Sequence, residues 1–226
     1  MEKEFASLCV LAFKRPEMLQ QALDGIIASV DYPSEIIVNV DGEENPYTMT
    51  SQIGNAYYRD RKLSKLILNN GLNRGVGRSL QNCLGVAEGE YIFKIDADLI
   101  FKAGWLSTAI NILKTNSDVA TVSLFNYRNY DPNDNRFNIL EERENCYIVD
   151  DFVSSVFGTK TSTLKKYLAD HTPLPDDGIH QGLGGKLAIT KDDLVINQGF
   201  GLEKSVYLNY QKHDIPCIFP LDIEDK

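Results

Sequence analysis

The sequence predicts an α/β protein with a mostly parallel, doubly wound, Rossmann-like sheet and helices on both faces. Two observations support this fold class. Short apolar segments alternate with amphipathic segments through the first half of the chain, which is typical of consecutive βαβ units. Polar residues also follow several of the apolar segments directly. Ligands of such sheets bind at the carboxyl ends of the strands, so the pattern predicts a binding site at that edge.

The first elements follow from apolar spacing. Residues 5–13 form an apolar segment of strand length, and Pro16 suits the first turn of the helix that follows. The apolar residues of that helix recur at helical spacing, at Leu19, Ala22, Leu23 and Ile26. The segment SEIIVNVDG predicts a second strand that ends at Asp41, residues 50–61 predict a helix, and KLILNN predicts a third strand.

A loop with glycines at positions 71, 75 and 77 precedes the next predicted helix and the strand YIFKIDADL. Positions two apart in a strand share a face, so Asp96 and Asp98 should point the same way. Paired carboxylates at the end of a buried strand suit Mg²⁺ or Mn²⁺ holding a diphosphate. The same Asp-x-Asp pattern also occurs in turns and helix caps, and the glycines also serve as turn residues.

The second half is less regular. It predicts a strand in VATVSLFNY, a loop at DPNDN, one or two strands before residue 160, and a helix beginning near Thr161. Pro173 and Pro175 should end that helix. The segment QGLGGKL does not match a phosphate-binding P-loop, since His180 occupies the place of the first glycine, and we expect it to form a lid over the site.

Composition restricts the function classes. The chain has 226 residues, 43% of them hydrophobic, which is enough for one core. No segment reaches the ~20 apolar residues of a membrane span. The charged N-terminus and cysteines without metal-ligand spacing predict a cytoplasmic protein. A net charge of −9 argues against broad binding to a nucleic-acid backbone.

Several segments together resemble the inverting family 2 glycosyltransferases with the GT-A fold. The matching segments, within residues 5–110, are VLAFKRPEMLQQAL, the strand ending at Asp41, NRGVGRSLQNCL, AEGEYIFKIDADL and FKAGWL. The resemblance implies one GT-A domain over residues 1–226. Its residues 1–110 would bind the nucleotide sugar, and residues 111–226 would form an appended acceptor-binding region.

The resemblance also implies roles for individual residues. The residues expected to contact the nucleotide sugar are Phe13, Arg15, Asp41, Asn73, Gly75, Arg78 and Asp96. Asp96 and Asp98 would hold the Mg²⁺ or Mn²⁺ ion. Asp177, with Asp176 as the next candidate, would act as the general base that takes the proton of the acceptor hydroxyl.

The predicted reaction moves a sugar from a nucleotide-sugar donor, UDP-linked by expectation, to a hydroxyl acceptor with inversion. The acceptor classes left open are a small molecule, a glycan and a modified base in phage DNA. The sequence departs from the family at Ser79–Gln81, where Ala-Arg-Asn is usual, and at Asn197 or Gln198, where a metal-binding His is usual. Two alternatives therefore remain, a nucleotidyltransferase and a catalytically inactive protein that binds sugar nucleotides.

Overall fold

The structure is a computed structural model that describes residues 4–43, 48–70, 73–125, 137–152, 154–192 and 194–197. Its first half alternates strands and helices. The strands are β1 (Ala6–Ala12), β2 (Ser34–Glu43), β3 (Lys65–Asn70), β4 (Tyr91–Asp96) and the short β5 (Leu99–Phe101). The helices are α1 (Pro16–Ser29), α2 (Met49–Arg59), α3 (Gly75–Val86) and α4 (Trp105–Thr115). The predicted elements of this half are therefore present, in the predicted order.

The second half contains more short strands than its sequence pattern indicates. Its elements are β6 (Val119–Ser123), β7 (Ile139–Glu142), β8 (Cys146–Val149), β9 (Val156–Lys160), α5 (Thr161–Asp170), α6 (Ile179–Gly182), β10 (Lys186–Thr190) and β11 (Val195–Asn197). The predicted loop at residues 131–135 lies outside the described residues. Helix α5 begins at Thr161, as expected.

The prediction of a lid at QGLGGKL is wrong. Gln181 and Gly182 end helix α6, and Lys186 and Leu187 begin β10. Gly184 and Gly185 have positive φ angles of 73° and 85°. They form the turn that precedes β10, an interior strand of the sheet.

One sheet gathers strands from both halves of the chain. Its nine strands lie in the order β3-β2-β1-β4-β9-β6-β10-β8-β7, and β5 and β11 form a separate antiparallel pair. Strands β3, β2, β1 and β4 are parallel neighbours, whereas β9 lies antiparallel between β4 and β6. The sheet is mostly parallel with helices around it, so the predicted fold class is confirmed. The division at residue 110 stays a prediction.

Burial explains why the first strands read as continuous apolar runs. Every residue of β1 is buried, and so are the first five residues of β4. Parallel strands covered on both faces carry apolar residues on both faces. The register aligns Leu11 of β1 with Asp96 of β4. The carboxyl ends of these strands therefore meet at one edge, and that edge carries the candidate site.

Candidate active site

A cleft of about 350 Å³ opens at the carboxyl ends of β1, β2 and β4. It brings together most of the residues predicted from the sequence. Those in its wall are Phe13, Arg15, Asp41, Asn73, Gly75, Asp96, Asp98 and Asp176. The cleft therefore joins the sheet edge, the start of α3 and a segment from the second half of the chain.

Asp96 forms a close ion pair inside the protein. It is the last residue of β4, and its Oδ1 lies 2.5 Å from Nζ of Lys94. Lys94 is only 4% exposed and also donates a hydrogen bond to the carbonyl oxygen of Ser154, at 2.7 Å. Since Lys94 lies two residues before Asp96 in the strand, both side chains belong to the same face. Lys94 thus adds a fixed positive charge directly behind the acidic pair.

Asp98 lies in the turn after β4 and is largely shielded from solvent. Arg15 donates to its Oδ2 at 3.1 Å, while Oδ1 is buried and has no hydrogen-bond partner among the described residues. Burial, and secondly the neighbouring Asp96 carboxylate, raise the pKa of Asp98 to about 6. A buried carboxylate oxygen without a partner is unfavourable unless a cation completes its surroundings.

A divalent cation therefore suits the acidic pair in part. Asp96 and Asp98 supply hard oxygen ligands, which Mg²⁺ combines with water and phosphate oxygens rather than an all-protein cage. The described residues contain no group of three His, Cys, Asp or Glu side chains that could hold a metal. Asn197, one of the two residues expected at the place of the usual His ligand, pairs through its backbone with Leu99, next to Asp98. Gln198 lies outside the described residues.

Asp41 holds the segment that enters helix α3. The predicted glycine loop is shorter than expected, because Gly75 and Gly77 belong to the first turn of α3, and Gly71 lies outside the described residues. Oδ2 of Asp41 accepts hydrogen bonds from the backbone N–H groups of Arg74 and Gly75, both at 2.9 Å, and Oδ1 accepts one from Asn69 at 3.3 Å. Asp41 is 4% exposed. It lines the cleft, and its hydrogen bonds also hold residues 74–75 against the end of β2.

Asp176 closes the cleft from the second half of the chain. Its Oδ1 accepts a hydrogen bond from the backbone N–H of Gly77 at 2.8 Å. A Cβ atom on Gly75 would lie 2.4 Å from that oxygen, and one on Gly77 would lie 2.0 Å from the carbonyl oxygen of Leu174. The two glycines are therefore required by close contact with residues 174–176, which is a packing reason that the sequence alone did not reveal.

Two predicted residues lie outside this cleft. Asp177 is exposed, as Asp176 also is, but it does not line the cleft, and it accepts a hydrogen bond from the backbone N–H of Gly178, the next residue, at 2.8 Å. Arg78 lines a second cavity, which contains Asp176 but neither Asp96 nor Asp98. The structure therefore favours Asp176 over Asp177 as the carboxylate of the cleft, and it separates Arg78 from the acidic pair.

Sequence reasoning missed two further arrangements, one beside the acidic pair and one elsewhere in the second half of the chain. Lys94 could have been noticed as a charged residue inside an otherwise apolar strand. His180 is buried, its Nε2 lies 2.8 Å from Oδ1 of Asp151, and its ring stacks on Phe152. No pattern in the sequence joins positions 151 and 180, because the contact depends on how α6 packs against the sheet.

Comparison with known proteins agrees with this geometry. The sequence model of glycosyl transferase family 2 matches residues 7–172. The chain therefore belongs to glycosyl transferase family 2, and its fold is that of the GT-A glycosyltransferases. No curated protein matches the chain.

Solved structures with the same fold are distant in sequence. A mannosyltransferase from Pyrobaculum calidifontis, solved with GDP-Man and Mn²⁺, is 18% identical with a TM-score of 0.62, covering 85% of this chain and 56% of its own. Residues 1–349 of TarS from S. aureus, solved with UDP-GlcNAc, are 16% identical with a TM-score of 0.61, and the match covers 85% of this chain and 57% of that structure. GalNAc-T7, solved with UDP, GalNAc and Mn²⁺, is 12% identical with a TM-score of 0.64, and the match covers 83% of this chain and 42% of that structure.

The match spans at most about three fifths of the length of these structures. Within the described residues of this chain, no helix is both long and apolar enough to cross a membrane.

Proposed function

We propose that this protein is a glycosyltransferase that moves a sugar from a nucleotide-sugar donor to an acceptor hydroxyl in a single displacement with inversion. The observation that carries the proposal is the cleft itself. It places Phe13, Asp41, the start of α3 at Gly75 and the acidic pair together at the carboxyl ends of the strands. Two of the similar structures contain UDP-linked or GDP-linked sugars, and we propose a UDP-linked donor for this chain.

Each part of the cleft has a role in this proposal. Phe13 is 39% exposed and offers a ring against which a nucleobase can stack. Asp41 presents its buried carboxylate from the base side and holds the loop of Asn73 and Gly75 toward the ribose and diphosphate. Arg15, whose φ of 56° is rare for a non-glycine residue, brings a positive charge beside Asp98.

We propose that Asp96 and Asp98 hold Mg²⁺ or Mn²⁺. The unpartnered Oδ1 of Asp98 supports this, and two of the similar structures contain Mn²⁺. When bound, the ion would offset the charge of the leaving diphosphate. Arg15 and Lys94 are the protein's own cations at this edge, so the acidic pair meets a diphosphate with part of its negative charge already balanced.

Asp176 is the carboxylate that we propose as general base, ahead of Asp177. One of its oxygens is fixed by the N–H of Gly77 at 2.8 Å, which leaves the other to take the proton of the acceptor hydroxyl. The acceptor oxygen then bonds to the anomeric carbon as the bond to the nucleoside diphosphate breaks. A carboxylate that lines the donor cleft can reach that oxygen, whereas Asp177 points to its own turn.

The direct test is incubation with a panel of sugar nucleotides and Mn²⁺, with products identified by mass spectrometry. A transferase releases nucleoside diphosphate, together with free sugar when water is the acceptor or with a glycosylated product when an acceptor is supplied. Release of sugar 1-phosphate from the sugar nucleotide, or of pyrophosphate from a nucleoside triphosphate supplied with sugar 1-phosphate, would instead indicate a nucleotidyltransferase. Tight binding of a sugar nucleotide without turnover, across acceptor classes that include small molecules, glycans and DNA with modified bases, would indicate an inactive binding protein.

A further inference from the structure

A second cavity adjoins the donor cleft on the far side of Asp176. Its volume is about 540 Å³, and Arg74, Arg78, the segment 173–175 and Asp176 line it. Asp176 is the residue that both cavities share. The two cavities are therefore neighbours, separated by the carboxylate that we propose as general base.

The second cavity is positively charged. Arg74 and Arg78 lie four residues apart, which puts both side chains on the same face at the start of α3. Within the described residues, neither guanidinium forms an ion pair or a hydrogen bond. Arg143, by contrast, is held by Asp118 at 2.7 Å and by Glu141 at 2.9 Å.

The position of the cavity indicates which substrate would occupy it. In a single displacement the acceptor hydroxyl approaches the anomeric carbon from the side opposite the leaving diphosphate, and the base must touch that hydroxyl. Asp176 can do so for a molecule that enters from the second cavity. The backbone there is fixed, because Gly77 has no space for a Cβ atom beside the carbonyl oxygens of Leu174 and Pro175.

We propose that the second cavity is the acceptor subsite and that the acceptor carries a phosphate group, which Arg74 and Arg78 bind. This inference rests on the proposed function and adds the chemical class of the acceptor. Guanidinium groups match phosphate oxygens in geometry and charge, and they can do so in bidentate fashion. A phosphate monoester and a phosphodiester share this chemistry, and the volume lies within the usual range for small-molecule sites.

The test is calorimetry on the chain saturated with UDP and Mn²⁺, so that the donor cleft is filled. The probes are glucose 6-phosphate, glucose, and a deoxydinucleotide of two thymidines joined by one phosphodiester. We expect glucose 6-phosphate, the deoxydinucleotide or both to bind at least about tenfold more tightly than glucose, since two charge-assisted contacts are added. Which probe binds better tells the monoester from the phosphodiester source.

Variants then assign the contact. In the double variant Arg74→Gln with Arg78→Gln, the preference for the phosphate-bearing probe should fall at least about tenfold, while UDP affinity stays within about twofold. Arg59→Gln with Arg61→Gln, at the end of helix α2 and just after it, removes two charges away from the cavity and should leave both affinities unchanged. Because Gln is tolerated in helices, we expect these variants to remain folded.

Three results would overturn the inference. Glucose and both phosphate-bearing probes could bind alike, or none could bind. The double variant could keep the preference. UDP affinity could fall in parallel with probe affinity, which would place the arginines in the donor site instead. Failure of the proposed function has a different signature. Either UDP does not bind the wild-type chain, and the probes are then titrated on the chain alone, or sugar nucleotides bind without turnover while the probe affinities are still measured as above.

Discussion

Lys94 is the single residue that most changes the chemistry expected of the acidic pair. A buried lysine keeps its charge only when partners replace its hydration, and Asp96 and the carbonyl oxygen of Ser154 do so here. Removing one member of such a pair leaves the other without compensation. The side chain of Asp96 is 31% exposed, so water reduces part of that cost.

Replacing Lys94 with Met should therefore lower the free energy of unfolding by about 1–3 kcal/mol in EDTA. Addition of Mn²⁺ should recover part of this loss, because the ion supplies charge beside Asp96. Urea unfolding with and without Mn²⁺ measures both effects. Lys165→Met, at an exposed position of α5, is the matched control and should change stability by less than about 0.5 kcal/mol. A loss that Mn²⁺ does not reduce would contradict the placement of the ion.

Asp98 predicts a stability that depends on pH. Its pKa in the folded chain is about 6, above the ordinary 3.8, because of burial and the Asp96 carboxylate. Its contribution to stability is therefore fully present below about pH 4 and is lost as pH rises through about 6. Asp98→Asn removes the charge, so without metal it should stabilise the chain by about 1–3 kcal/mol at pH 7.5 and by much less at pH 4.5.

Calorimetric unfolding in EDTA at the two pH values measures this difference. Mn²⁺ should raise the melting temperature of the wild type at pH 7.5 but have little effect on Asp98→Asn. Equal stability of the two proteins at both pH values would mean that burial does not destabilise the ionised carboxylate of Asp98.

Asp176 and Asp177 can be separated by kinetics. An enzyme that lacks only its base keeps ground-state binding and loses an interaction of the transition state, so kcat should fall while the KM for the donor hardly changes. Asp176→Asn should lower kcat by about 10²–10⁴-fold, and Asp177→Asn should have a much smaller effect. Steady-state rates of both variants decide the assignment, and the reverse order of effects would return the base to Asp177.

At the scale of elements, helix α3 joins the donor cleft to the second half of the chain. Its first turn is held by Asp41 from β2 and by Asp176 from the segment before α6. Gly77 lies where those two contacts meet, and any side chain there would press on the backbone of residues 174–175. Gly85, near the other end of the same helix, has nothing within 4 Å of the position of a Cβ atom.

The two glycines therefore form a matched pair for substitution. Gly77→Ala should destabilise the chain by about 1–3 kcal/mol and weaken transfer activity, because the segment with Asp176 must move. Gly85→Ala should stabilise the chain by about 0.5–1 kcal/mol, as expected for Gly to Ala in a helix. Unfolding in urea and initial rates on both variants test this. Similar effects at both positions would show that intrinsic helix propensity, not the contact with residues 174–175, controls Gly77.

The elements that the sequence predicted are those with strong periodicity. Strands β1, β2 and β4 are mostly apolar, and Asp41 and Asp96 lie at or near the ends of β2 and β4, so these strands and their acidic ends could be predicted. Strand β9 has only five residues, and nothing in them indicates that it inserts antiparallel beside β4. The lid prediction is wrong because a glycine-rich segment can equally form a tight turn, and here the turn at Gly184 and Gly185 leads into β10.

At the scale of the whole molecule, the site depends on contacts between distant parts of the chain. Gly77 and Asp176 are 99 residues apart, and their hydrogen bond decides which of two adjacent aspartates faces the cleft. A sequence pattern indicates that PDDG is a turn, but not which carboxylate points inward. The acidic pair could be predicted because it stands at the end of an apolar strand, although Asp98 lies in the turn after β4 and not in the strand. The base and the second cavity required the tertiary structure.

Because the cleft is assembled from both halves of the chain, its ligand should stabilise the whole molecule. A ligand at 100 times its Kd adds about 2.7 kcal/mol to the free energy of unfolding. For a protein of this size, each kcal/mol corresponds to about 2–4 °C in melting temperature. UDP with Mn²⁺ at that concentration should therefore raise the Tm by about 5–10 °C, measured by calorimetry.

The increase should depend on both halves of the cleft. UDP without Mn²⁺ should give a smaller shift, since the diphosphate then meets the acidic pair without the ion. Gly77→Ala, which disturbs the contact between α3 and residues 174–176, should reduce the shift, whereas Gly85→Ala on the same helix should keep it. A shift of equal size in all these cases would mean that the nucleotide binds outside the cleft, because a nucleotide inside it should respond both to the ion and to the contact between α3 and residues 174–176.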